Sequence, residues 1–167
     1  GVSNAKSKSG EVHLFTFSDG SFSGGAFAGT IGFNAGSLPA GNNIDLGDGT
    51  NVSGTDGVDD EFVKLKTSDQ FGDSVSLSIA EDGTTRLAVG AIGTDGDGEN
   101  LGSSGEVWLF TFDDDEFTGG SRVGTIGYNF SICEDADGCG ASVPFGPKNV
   151  DLGDGTNVSG SDGDAGF

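Results

Sequence analysis

The chain has 167 residues, enough for one domain with a hydrophobic core, and carries 27 acidic against 7 basic side chains, a formal net charge of −20. This charge repels nucleic-acid phosphates and anionic membranes, and no apolar run approaches the ~20 residues of a membrane-spanning helix, which argues against nucleic acid and a membrane span. An acidic surface attracts cations, although acidity can also serve solubility alone.

Short runs rich in Val, Leu, Ile, Phe and Thr, separated by Gly- and Asp-rich turns, predict an all-β protein. No stretch has helical periodicity. Asp82 and Gly83 lie between two apolar runs and predict a hairpin. In chain order, the expected strands are residues 11–17, 28–33, 62–66, 74–79, 86–91, 106–112 and 122–128.

In two of these strands, the alternation of apolar and polar side chains indicates which faces are buried. Residues 74–79 alternate Val, Leu and Ile with serine, which predicts one apolar and one polar face. Residues 106–112 are apolar on both faces, which predicts that this strand is covered on both sides and that Trp108, Phe110 and Phe112 pack against another sheet.

The sequence repeats itself. GEVHLFTF at residues 10–17 returns as GEVWLFTF at 105–112, and DLGDGTNVSG at 45–54 returns letter for letter at 151–160. The two offsets are 95 and 106, so the later copy contains an insertion, which we place in a surface loop around residues 133–147. We predict a single repeat domain over residues 1–167. Its parts are copy 1 at about 10–62, linking strands at 69–91, and copy 2 at about 105–167.

Three blocks in the middle of the chain follow one another in a recognisable order: FGDSV at 71–75, LAVGA at 87–91 and GEVWLF at 105–110. This order resembles the FG-GAP repeat family, the blades of integrin-α-like β-propellers, also found in bacterial surface proteins. The resemblance implies blade-like antiparallel sheets. A propeller needs about four or more blades, so we expect sheets that are incomplete as a ring, with a β-sandwich as the alternative.

Calcium is the leading candidate ligand, because hard cations bind clustered oxygen atoms on glycine-containing loops. The alternative interpretation is that the acidic loops of this chain are solvated turns. The candidate ligands form two main clusters, Asp95, Asp97 and Glu99 in the first and Asp56, Asp59 and Asp60 in the second. A further acidic run covers residues 113–116.

The insertion contains both cysteines, Cys133 and Cys139. A local disulfide is favoured over a zinc site, which would need two further ligands, and it implies an oxidising, extracytoplasmic compartment. Asn51, Asn129 and Asn157 begin N-x-S sequons and are candidate glycosylation sites of a secreted protein.

The sequence argues against an enzyme. His13 is the only histidine, and it occupies the repeat position that holds Trp108 in the second copy, so no base accompanies a nucleophile. We therefore expect an extracellular or cell-surface structural or adhesive protein. It would act by assembly with copies of itself or with neighbouring repeats, as a surface or fibre subunit. The alternative is a calcium-dependent, propeller-like module that binds a surface protein or glycan.

Overall fold

The computed structural model of the chain describes residues 8–35, 38, 41–47, 65–94, 104–127 and 150–152. These residues form eight β-strands in two sheets and contain no helix, which confirms the all-β prediction. Within the same ranges there is accordingly no helix that could cross a membrane.

The first sheet has three strands in the order β1-β2-β3, with β1 and β2 antiparallel and β2 and β3 parallel. Its strands are β1 (Glu11–Thr16), β2 (Ala26–Gly32) and β3 (Ile44–Asp45).

The second sheet has five strands in sequence order; successive pairs are antiparallel except the last, which is parallel. Both sheets are open, and the described strands do not close into a ring. The strands are β4 (Phe71–Ile79), β5 (Thr85–Ala91), β6 (Glu106–Phe112), β7 (Ser121–Gly127) and β8 (Val150–Asp151).

The predicted hairpin at residues 82–83 is confirmed, since it joins antiparallel β4 and β5. Gly83 adopts the left-handed φ of +86° that the turn requires, and the Ala80 N–H donates to the Thr84 carbonyl at 2.9 Å. The predicted strand 62–66 is wrong where it can be tested: Leu65 and Lys66 lie outside the strands, and the earlier part of that segment lies outside the described residues.

The sequence repeat is also a repeat of backbone geometry. Strands β1, β2 and β3 of the first sheet are equivalent to β6, β7 and β8 of the second. Both antiparallel pairs carry a β-bulge at the same repeat position, between Leu14 and Phe15 in the first sheet and between Leu109 and Phe110 in the second. In both sheets a short third strand then adds in parallel to the end of the second strand.

The core lies between the sheets and is shared by both. The face of the first sheet that bears Leu14 and Ile31 packs on the face of the second sheet that bears Phe110. Side chains of both sheets converge on Gly120: a Cβ atom added there would lie 3.1 Å from Ile44 Cδ1 of the first sheet and 2.7 Å from Phe112 Cε1 of the second. The prediction that the aromatic residues of β6 pack against another sheet is confirmed. The buried apolar set is Leu14, Ile31, Ile44, Leu46, Leu65, Phe71, Leu87, Val89, Ala91, Trp108, Phe110, Phe112 and Phe117.

A backbone bridge joins the two sheets at Gly10, which pairs in parallel with Phe71. Gly10 has φ of +85°, and a Cβ atom at this position would lie 1.9 Å from the Phe71 carbonyl oxygen. Only glycine satisfies both the backbone conformation and the close approach, so this residue fixes how the first sheet joins the second.

Candidate functional site

The outer side of the first sheet carries an exposed aromatic surface. We call it the aromatic face and define it as His13, Phe15, Phe17, Phe22 and Phe27. The four phenylalanines are 50%, 45%, 76% and 48% exposed in that order. Large apolar side chains grouped at the surface mark an interaction site more often than isolated ones do.

The rings of the aromatic face touch one another. Phe15 and Phe27 are stacked edge to face with centroids 5.8 Å apart, and Phe17 and Phe22 likewise at 5.1 Å. The ring of His13 lies 6.2 Å from that of Phe27. The bulge and the β1–β2 turn thus present these rings as grouped clusters on one side of the sheet.

Three of the four phenylalanine positions are buried in the second sheet, whereas the fourth, Phe27, corresponds to the half-buried Arg122. Phe15, Phe17 and Phe22 correspond to Phe110, Phe112 and Phe117, which lie 95 positions later and belong to the core. Phe22 and Phe117 even share the same strained backbone, with φ of +59° and +63°. The same aromatic pattern is therefore exposed in copy 1 and buried against the first sheet in copy 2.

A second repeated contact links a glutamate to the ring two residues later. Trp108 Nε1 donates to Glu106 Oε2 at 2.7 Å, and His13 Nε2 lies 3.1 Å from Glu11 Oε1. His13 Nδ1 also lies 3.1 Å from Thr30 Oγ1. His13 thus occupies the tryptophan position and makes a contact of the same kind at the surface.

The two glutamates differ in burial. Glu106 is half-buried, and this burial raises its pKa from about 4.5 to about 7. The Trp108 indole opposes the increase by donating a hydrogen bond, whereas the charge of Asp69 adds to it. Glu11, at the same repeat position, is exposed.

The acidic turns of the described residues have structural roles. Asp19 Oδ1 accepts hydrogen bonds from the Ser21 and Ser23 N–H groups at 2.8 and 3.1 Å. Asp114 Oδ1 does the same 95 positions later, with the N–H groups of Glu116 and Thr118.

These bonds lower the pKa values of the turn aspartates. For Asp19 the largest cause is the backbone hydrogen bond from Ser23, and for Asp114 it is the side-chain hydrogen bond from Thr118. Asp82 also has a lowered pKa, because its carboxylate accepts the Thr84 N–H. Over the described ranges, no group of three or more His, Cys, Asp or Glu side chains could hold a metal ion. Within the acidic run at 113–116, Asp114 orders the turn by accepting these hydrogen bonds.

β4 forms one edge of the second sheet and is exposed along most of its length. The alternation of its residues is confirmed by its register: Val75 and Leu77 pair with Val89 and Leu87, on the side of the sheet that carries the core. Yet Val75, Leu77 and Ile79 remain exposed and do not belong to the core. The second side of β6 is half-buried, so the predicted cover on both sides is complete on the aromatic side and only partial on the other.

The other residues singled out from the sequence all lie outside the described part of the chain, and their roles stay predictions. They are the calcium candidates Asp56, Asp59, Asp60, Asp95, Asp97 and Glu99, the cysteines Cys133 and Cys139, and the sequon asparagines Asn51, Asn129 and Asn157.

The calcium prediction is tested by thermal unfolding with and without metal. If Asp95, Asp97 and Glu99 hold calcium, adding about 100 Kd of the ion raises the free energy of unfolding by roughly 2.7 kcal/mol, and a chelator removes the gain. Asp95→Asn should lose this response, whereas Asp114→Asn, in an acidic turn already satisfied by backbone N–H groups, should retain it. An unchanged melting curve in calcium would show that the acidic runs are solvated turns.

The chain matches no protein-family model, no curated protein and no solved structure at a significant level. Its function is therefore inferred from its own residues.

Proposed function

We propose that this chain is an extracellular structural or adhesive β-repeat protein that acts by assembly, as a surface or fibre subunit, and carries out no catalysis. The observation that supports this proposal is the aromatic face. Phe15, Phe17 and Phe22 are exposed at positions where the second copy of the same motif forms a buried core.

The energetics favour a covered aromatic face. Burying apolar surface yields about 25 cal/mol per Å², and a phenylalanine gains about 1.5–3 kcal/mol when its side chain is fully buried. Four half-exposed or more exposed phenylalanines on one sheet thus represent several kcal/mol that the isolated chain leaves unused. Aromatic side chains are also the residues most enriched at the centres of protein interfaces.

The resemblance to FG-GAP repeats supports the same proposal, since blade-like sheets are built to stack on one another. The β4 edge adds a second surface: beyond the bridge between Phe71 and Gly10, no strand among the described residues pairs with its outer side. Edge strands of this kind also serve as sites of strand addition.

Assembly is tested by sedimentation velocity from roughly 1 μM to roughly 1 mM chain, the range of weak to moderate association. We expect the average mass to rise with concentration. The net charge of −20 makes copies repel one another, so the rise should be steeper at about 0.5 M salt, where charges are screened. A chain that stays monomeric over this range at both salt concentrations would overturn the proposed function.

A further inference from the structure

The outer side of the second sheet carries a surface unlike the aromatic face. We call it the aliphatic face and define it as Val107, Leu109, Val123 and Ile126. All four side chains are half-buried. Leu109 and Val123 line a depression of about 240 Å³ on this side of the sheet, together with Ser76, Arg86, Ala88 and Thr111.

The first sheet carries the same aliphatic surface 95 positions earlier, and there it is covered. Leu14 and Ile31 correspond to Leu109 and Ile126, and both belong to the core. Val12 and Ala28 correspond to Val107 and Val123, and both pack against that core.

The covering surface is the aromatic side of the second sheet. The interface inside the chain therefore joins the aliphatic side of copy 1 to Trp108, Phe110 and Phe112 of copy 2. The Asn42 Nδ2 atom also donates to the Glu116 carbonyl at 3.1 Å, which ties the first sheet to the β6–β7 turn. Each copy thus has one aromatic and one aliphatic side, and among the residues that the structure describes only one of each is covered by the other copy.

The two unused sides are the complementary halves of an interface that the chain already makes. Resting on the proposed function, we propose that the aromatic face of one chain docks on the aliphatic face of a second copy of this chain, in the arrangement that joins the two sheets within each chain. In this contact, Phe15 of the first chain takes the place that Phe110 has in the core. Leu109 of the second chain takes the place of Leu14.

This contact is heterologous, because the two partners use different surfaces. Repetition of a heterologous contact gives a ring if the rotation closes and a filament if it does not. Arg86 lies beside the aliphatic face and supplies a positive charge there, which reduces the repulsion between two acidic chains.

The test uses one blocking variant for each face. Phe15→Lys places a charge in the aromatic face, and Leu109→Lys places the same charge in the aliphatic face. We expect each variant to associate with itself at least about 10-fold more weakly than the wild-type chain, the loss expected for one central interface residue. An equimolar mixture should form a heterodimer and stop there, since only one intact aromatic face and one intact aliphatic face remain.

Ile92→Lys is the matched control, because Ile92 is 49% exposed, close to the 50% of Phe15, but lies in the turn after β5, outside both faces and the β4 edge. It should assemble like the wild-type chain. If Leu109→Lys fails to fold, as judged by Trp108 fluorescence, Thr111→Lys replaces it, since Thr111 lines the same depression.

The outcomes separate this inference from the proposed function. A wild-type chain that assembles while the mixture stays monomeric, or while Leu109→Lys assembles normally, refutes the docking of aromatic on aliphatic face and leaves assembly intact. Equal loss of assembly in Ile92→Lys would show that a lysine outside both faces has the same effect, and would equally refute the docking. A wild-type chain that never assembles overturns both.

Discussion

Phe110→Ala should destabilise the folded chain by about 3–5 kcal/mol, the cost of deleting a fully buried aromatic side chain. Phe110 is 1% exposed, pairs with Leu87 across the sheet, and contacts Phe71 edge to face with centroids 6.1 Å apart. Its removal leaves a cavity between the two sheets and also loses the ring contact. In a chain of this length, the melting temperature should fall by roughly 6–20 °C.

Phe15→Ala is the matched control, because Phe15 occupies the same repeat position in the same LFTF sequence and is half exposed. For the monomeric chain at low concentration, we expect a loss below about 1 kcal/mol. Chemical denaturation followed by the fluorescence of Trp108, the only tryptophan, measures both variants. Equal losses would mean that the two copies are equally buried in solution, contrary to the structure.

The strands and turns of this chain can be predicted from its sequence, whereas the burial of its aromatic side chains cannot. Alternation and turn residues predict the strands, the hairpin at 82–83 and the repeat, because these depend on neighbours along the chain. Phe15 and Phe110 have nearly identical local sequences, so nothing local distinguishes the exposed ring from the buried one. Their burial depends on which sheet lies opposite, and that is a property of the tertiary structure.

The sequence does not predict strands β3 and β8, for a similar reason. β3 and β8 have only two residues each, and they adjoin the DLGDGT block, whose glycines and aspartates indicate a turn. Ile44 is nevertheless fully buried, because β3 adds in parallel to β2 and directs this side chain into the core. The repeat itself carries the signal, since Ile44-Asp45 and Val150-Asp151 are equivalent and each pairs in parallel with the preceding strand of its copy.

Glu106→Gln should stabilise the chain at about pH 8 by up to roughly 3 kcal/mol, because burial raises the Glu106 pKa from about 4.5 to about 7. The charged form is the costly one. A glutamine has no charge to desolvate, and its amide oxygen can still accept the hydrogen bond from Trp108 Nε1.

The direction of this pH dependence follows from proton linkage. Folded Glu106 holds its proton more tightly than the unfolded chain does, so its contribution to stability is complete below about pH 4.5 and is lost as the pH rises through about 7. The difference in free energy of unfolding between Glu106→Gln and wild type should therefore be small near pH 4. It should grow across this window and level off above it.

Glu11→Gln is the control, since Glu11 occupies the same repeat position and contacts His13 at the surface. It removes the same charge from a chain of net charge −20 without relieving burial, so general repulsion affects both variants alike. Denaturant titrations at several pH values yield both difference curves. A Glu106→Gln curve parallel to the Glu11→Gln curve would show that Glu106 is not desolvated in the folded chain. The expected divergence would show that its burial beside Trp108 and Asp69 raises its pKa.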